Sequence, residues 1–247
     1  MSDAEYDPFA AGPHQVAVST SEAIDQVRGR RFPIEMWSPA RSGVRPLIVF
    51  SHYSGGHRRT ATYLCTHMAS HGYVVAAMDH SEVVAPELAR RVDETATETA
   101  ARIEAIIASR VPDVRFLLDH LLSGAADLEL DAERIGLVGH SFGGWTVLAT
   151  PDVESRMRSV VALAPGGSSS PKPGILRLKL TFSWGRDVPT LYLAGENDVP
   201  IPLAGVYELF GRTPSSKRMF ILRRADHQHF IDNVGEAHEA VRAATFS

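Results

Sequence analysis

Among 247 residues there is one cysteine, Cys65, so no disulfide can form within the chain. It stands in Tyr63-Leu64-Cys65-Thr66-His67-Met68, a stretch of helical character, where it reads as a small buried apolar residue and not as a nucleophile. No apolar run approaches the roughly 18 residues of a membrane span, so none is expected. Neither sign of charge dominates: 25 Lys and Arg face 29 Asp and Glu, a net of −4, which excludes a general pull toward nucleic acid. The pairs Arg30/Arg31, Arg58/Arg59, Arg90/Arg91 and Arg223/Arg224 are interleaved with acids and read as solvated surface. Residues Met1–Pro8 carry neither the basic nor the apolar part of a secretory leader. With the single cysteine, this makes the cytoplasm the expected compartment. Repeats and low-complexity tracts are also missing.

What is present is a 44% apolar content over a length that suits one α/β domain. Residues 1–13 are small, acidic and contain Pro and Gly, and are expected to be loose; residues 14–247 form the single domain. Weak alternation in Gln15–Ile24 and Arg31–Trp37 predicts an opening antiparallel hairpin. Short apolar runs then follow one another: Leu47–Phe50, Tyr73–Met78, Ile135–Val138, Ser159–Leu163, Thr190–Leu193 and Met219–Leu222. Runs of that length suit strands buried on both faces. A helix near Thr60–Ser70 ends at Gly72. Ala85–Ser109 is charged, with helical spacing only at Ile103, Ile106 and Ile107, while Val111, Val114, Leu117, Leu118, Leu121 and Leu122 make the stripe of a clearer next helix. Strands alternating with helices predict a mostly parallel central sheet with helices on both faces. Ser168–Gly174 reads as an exposed, mobile loop.

Gly139-His140-Ser141-Phe142-Gly143-Gly144 directly follows the run Ile135–Val138. Gly-x-Ser-x-Gly should occur by chance in roughly one chain in ten of this length, so the string alone decides little. Its setting is much rarer: a strand, a sharp turn at Ser141, then a helix, which lifts the serine hydroxyl clear of the sheet. Gly139 and Gly143 remove side chains that would collide there.

A serine hydroxyl needs a base to take its proton and a third group to orient that base. In open α/β sheets such groups lie beyond the C-terminal ends of strands. Gly195-Glu196-Asn197-Asp198 leaves one strand, and Ala225-Asp226-His227-Gln228-His229-Phe230 follows the next. The order Ser141, Asp198, His227 is the one that an α/β-hydrolase fold uses. Glu196 is the alternative acid, set too close to its strand, and His229 the alternative base. Two backbone N–H groups must also hold the developing oxyanion. One is that of Phe142; the other is that of Tyr53 or Ser54, in the loop Ser51-His52-Tyr53-Ser54-Gly55-Gly56. His52 is expected to brace that loop. Tyr53, His80, Trp145 and His229 are the candidate substrate-binding residues, with Trp184 a further one. No cofactor is implied, and no spacing among His52, His57, His80, His227 and His229 matches a metal-ligand signature.

These residues resemble serine α/β hydrolases of the platelet-activating-factor acetylhydrolase and dienelactone-hydrolase-like kind. The likeness rests on residues 47–56, 68–80, 139–144 and 225–230 and spans most of 45–232. It implies the α/β-hydrolase fold and supports His227 as the base. The activity implied is hydrolysis of a small or short-chain carboxylic ester through an acyl-enzyme on Ser141. Acyl transfer or thioester cleavage with the same serine, or ligand capture with little turnover, are the alternatives. Three departures leave the substrate open. His52-Tyr53 stands where the acetylhydrolases have His-Gly. The stretch Ala162–Gly166 lacks the acid those enzymes place after the elbow's neighbouring strand, so Asp198 on the later strand must serve. Dienelactone hydrolases carry cysteine at the elbow, where this chain has Ser141. Specificity is expected to reside in 85–109 and 168–186, and the oligomeric state stays open.

Overall fold

Of the six short apolar runs, Met219–Leu222, expected to be buried on both faces, forms a largely exposed edge strand; the other five become inner strands of one eight-stranded sheet. Its strands are β1 (Val16–Asp25), β2 (Arg30–Pro39), β3 (Arg45–Ser51), β4 (Val74–Met78), β5 (Leu130–His140), β6 (Met157–Leu163), β7 (Thr190–Gly195) and β8 (Lys217–Leu222). The computed structural model describes residues 10–40, 43–125 and 128–245. Spatial order is β1-β2-β4-β3-β5-β6-β7-β8. The β1–β2 hairpin and the β2–β4 pair are antiparallel; every later pair is parallel. This is the α/β-hydrolase architecture expected from the sequence.

Alternation along each strand feeds two cores. Leu47 and Val49 of β3 join one cluster, and Ile48 and Phe50 the other. Helix α1 (Thr62–Ser70) covers the second cluster with Cys65 and Ala69. Three helices cover the first: α3 (Ala96–His120), α4 (Phe142–Ala149) and α5 (Leu203–Arg212). Cys65 is wholly buried, and that burial pushes its thiol pKa up, as a core role requires. A short α2 (Ser81–Val84) and a C-terminal α6 (Val234–Thr245) complete the helices.

Two expectations, on the helical stretch and on Arg58, need correction, and single contacts bear on two others. From Ala96 on, the charged stretch and the apolar stripe are one continuous helix, α3, which runs through Pro112. Pro112 removes one backbone donor, but Val114, Leu117 and Leu118 beyond it are anchored in the core. At the other end Thr95 and Glu98 form a reciprocal capping box. The loose N-terminal segment falls partly on residues 1–9, which lie outside the described residues. Within 10–13, however, Gly12 is docked, its N–H donating to Ser70 Oγ at 2.8 Å. Ser168–Gly174 is largely exposed but tethered through the Ser169 N–H to Glu208. The rest of the excursion carries Leu178, Leu180, Phe182 and Trp184 into the core without regular secondary structure. Finally, Arg58 is not simply solvated: its backbone N–H and guanidinium both bind the buried Asp79.

Candidate active site

Strand β5 ends at His140 and α4 begins at Phe142, leaving Ser141 alone to turn the chain. Ser141 takes φ 58° and ψ −112°, a region that L-residues enter only when the surroundings impose it. Here they do. Its N–H donates to Leu163 O (2.9 Å), and its carbonyl accepts from the N–H groups of Trp145 (3.0 Å) and Gly166 (3.1 Å). The two flanking glycines are required by contact. A Cβ on Gly139 would lie 2.2 Å from Gly143 O, and one on Gly143 would lie 2.0 Å from Ser51 O. The second contact shows how closely α4 is seated under the loop after β3.

Asp198 and His227 meet beyond β7 and β8. His227 Nδ1–H donates to Asp198 Oδ2 at 2.7 Å, and Asp198 Oδ1 accepts from the Ile201 N–H at 2.7 Å. The carboxylate is nearly enclosed, with both oxygens engaged. Close approach of the two loops depends on Gly195, where a Cβ would lie 2.7 Å from Ala225 O. Glu196 is bound elsewhere, accepting from the Arg224 N–H at 3.0 Å. The His227 ring lies 4.7 Å from the ring of His140, the residue before Ser141. Serine, imidazole and carboxylate therefore gather at one end of the sheet. Among the described residues no hydrogen bond joins the Ser141 hydroxyl to His227; such bonds commonly tighten only when substrate is bound. His140 itself is buried between Tyr53, His227 and Phe230, and burial drives its pKa well below the usual imidazole value.

The loop after β3 is held from behind by a buried polar network. His52 Nδ1–H donates to Tyr53 O (2.7 Å) while its Nε2 accepts from the His80 N–H (3.2 Å), which fixes one neutral tautomer. Burial also pushes the His52 pKa well down. Arg110, fully buried, donates to His52 O (2.8 Å) and Tyr53 O (3.3 Å) and pairs with Glu82 through two contacts, Nε–Oε2 at 2.8 Å and Nη2–Oε1. Its guanidinium lies 4.1 Å from the centre of the Phe142 ring. Because peptide units are planar and trans, carbonyls of His52 and Tyr53 turned toward Arg110 leave the N–H groups of Tyr53 and Ser54 pointing away from it. Sequence reasoning missed Arg110 altogether, since a lone arginine on a charged helix carries no local sign of burial.

A second serine–histidine–aspartate row lies in this network. Ser51 Oγ is 2.8 Å from His80 Nε2, and His80 Nδ1 is 3.3 Å from Asp113 Oδ2. All three residues are sealed from solvent, so no substrate reaches them. Burial opposes the charge on Asp113, yet hydrogen bonds from His80 and Ser81 hold its carboxyl below the usual range. Burial lowers the His80 pKa.

The expected pocket lining is accordingly corrected for three residues. His80 belongs to that sealed brace. Trp145 is packed into the core, its ring stacked on Phe142 and its Nε1–H donating to Lys179 O (2.9 Å). Trp184 is likewise buried, donating to Leu148 O. Tyr53 stays half-exposed at the mouth, its ring 5.7 Å from that of His140, and Ser54 is exposed. His229 faces outward against Asp226 (2.8 Å). Two cavities adjoin this end of the sheet. One, about 270 Å³, is lined by residues that include Asn197, Pro200, Asp226 and His227. A larger one, about 630 Å³, lies between Gly167–Pro171, Arg177–Thr181 and Arg212.

Comparison with known proteins finds similar chains among named esterases. A family model described as chlorophyllase matches residues 4–164. The platelet-activating factor acetylhydrolase of Cavia porcellus is 25% identical over 240 residues, covering 82% of this chain and 52% of that protein. The chain thus spans about half or less of the length of the acetylhydrolases it matches. Cutinase est1 of Thermobifida alba is 23% identical over 248 residues, 91% of this chain and 72% of that protein. Among solved structures, the ferulic acid esterase of Streptomyces cinnamoneus superposes with a TM-score of 0.69 at 22% identity, covering 91% of this chain and 78% of that one. That likeness establishes the fold. No helix among the described residues is long and apolar enough to cross a membrane.

Proposed function

The chain belongs to the chlorophyllase family, and from that premise we propose that it is a serine hydrolase that cleaves carboxylic esters through an acyl-enzyme on Ser141. His227 acts as general base and then as general acid, and Asp198 holds the imidazole with its Nε2 facing the hydroxyl. The observation that carries the reading is the position of the His227 ring, bonded to Asp198 at 2.7 Å and set against the residue that precedes a positive-φ Ser141.

The tetrahedral oxyanion is held by the N–H of Phe142 and by that of Tyr53 or Ser54. Phe142 is the first residue of α4, so its N–H has no acceptor inside the helix. Arg110 is a positioning residue: it fixes the carbonyls of the loop and so aims the loop's N–H groups. The names of the relatives (acetylhydrolase, cutinase, ferulic acid esterase) favour a small-molecule carboxylic ester as substrate. The cavity bounded by 167–171 and 177–181 makes that excursion the proposed seat of specificity. The chemistry needs no cofactor. The proposed compartment is the cytoplasm, where an unpaired thiol such as Cys65 is ordinary.

Turnover of p-nitrophenyl acetate by wild type and Ser141→Ala tests the nucleophile. A triad acting as a unit predicts a loss of roughly 10⁶-fold in kcat, together with loss of fluorophosphonate labelling. Near-wild-type turnover by the variant would remove Ser141 from the reaction.

A further inference from the structure

Beside His227, but outside the proposed hydrolytic row, three metal-ligating side chains converge. Asp226 and His229 sit three apart on the 3₁₀ turn His227–Phe230 and its cap, where residues at that spacing share a face. His238 comes from α6. His229 Nδ1 is 2.8 Å from Asp226 Oδ1, His238 Nε2 is 2.8 Å from Asp226 Oδ2, and the ligand atoms of all three lie within 4.8 Å of one another. The two imidazole rings are 5.4 Å apart.

We propose that Asp226, His229 and His238 form a binding site for a divalent transition-metal ion of the zinc type, which ties α6 to the turn that carries His227. Two imidazoles and one carboxylate are the donor set for a borderline ion such as Zn²⁺ or Co²⁺; Ca²⁺ and Mg²⁺ call for oxygen ligands. Ligand bonds of about 2.0–2.2 Å in a tetrahedral site require donor atoms about 3.3 Å apart, so side-chain shifts of about 0.5 to 1.5 Å complete the site. The His229 Nδ1 lone pair accepts from the Asp226 N–H at 3.1 Å, and an ion at this site takes that lone pair in place of the N–H. All three side chains keep partial exposure, which provides an entry path. Asp226 and His238 also line the 270 Å³ cavity beside His227.

The site rests on no part of the hydrolase reading, so its test has its own readout. The full chain, stripped of metal, is titrated with Zn²⁺ by calorimetry and with Co²⁺ by visible absorption, and its melting temperature is followed with and without Zn²⁺. Wild type and Ser141→Ala are expected to bind one ion, with melting raised by about 5 °C or more at a hundredfold excess over Kd. His238→Ala and His229→Ala are each expected to weaken binding by about tenfold or more and to lose the shift. His67→Ala serves as control, because the His67 and His71 rings stand 4.6 Å apart on α1 and its cap. No stoichiometric binding by wild type, unchanged binding in both His variants, or loss in the control alone would overturn the proposal and leave a hydrogen-bonded His–Asp–His cluster.

Discussion

Replacing Arg110 by Met retains an apolar stem and removes the guanidinium. The Glu82 carboxylate, itself almost enclosed, then loses its bidentate partner, and His52 O and Tyr53 O lose their charged donor. Breaking a buried ion pair from one side costs about 3–5 kcal/mol. Losing the cation over the Phe142 ring adds about 1–2 kcal/mol, and better burial of the Met stem offsets a similar amount. A net loss of about 4 kcal/mol follows, which for a chain of this size lowers Tm by roughly 8–16 °C. Catalysis changes separately. With the loop carbonyls released, one oxyanion donor loses its aim, and kcat should fall by about tenfold or more, up to the 10²–10³ of a donor removed outright, with KM little altered. Glu82→Gln added to Arg110→Met separates the two effects. The stranded charge is gone, so at least half of the lost stability should return while kcat stays low. Thermal melts and p-nitrophenyl acetate kinetics on the single and double variants measure both. A loss below about 1 kcal/mol in Arg110→Met, or recovery of kcat in the double variant, would refute the positioning role.

Two further outcomes are expected. Gly143→Ala places a methyl against the backbone of Ser51 and His52, and should cost about 1–3 kcal/mol and most of the esterase rate; Gly211→Ala in α5 meets nothing within 4 Å and should be neutral or slightly stabilising by the same melts. Stability should also depend on acidity. His52, His80 and His140 are buried with folded-state pKa values pushed below the usual 6.5. Their neutral forms therefore favour the fold fully above pH 6.5, and that contribution is lost as pH falls below it, because the unfolded chain takes up protons that the folded chain refuses. Three such groups give a loss of up to about 3 kcal/mol between pH 7 and about pH 5.5. A denaturation midpoint that stays flat over that interval would contradict it.

Locally encoded features were read correctly from the chain. β3 to β7 appear as short apolar runs because burial on both faces demands them, whereas the run of β8 lies on a largely exposed edge strand; the elbow is legible because a strand, a turn and a helix must be consecutive. Asp198 and His227 could be placed because each follows its strand by a few residues, in an order the fold imposes. Where the reading failed, long-range packing had overridden local pattern. The charges of 85–109, with helical spacing only at Ile103, Ile106 and Ile107, set that stretch apart from the next helix, yet α3 is continuous from Ala96 because its far half is anchored in the core. His80 and Trp145 lie near the elbow in the fold but turn into sealed interior.

The amino-acid order alone therefore determined the sheet's membership, the position of the nucleophile candidate and the sequence of its partners, since each of those is written within a dozen neighbouring residues. Folding in three dimensions decided which charges are buried. Arg110 meets Glu82 across 28 positions and His52 across 58. Whether an arginine ends in water or beneath the loop after β3 depends on the carboxylate and carbonyls brought to meet it, and no local periodicity carries that information.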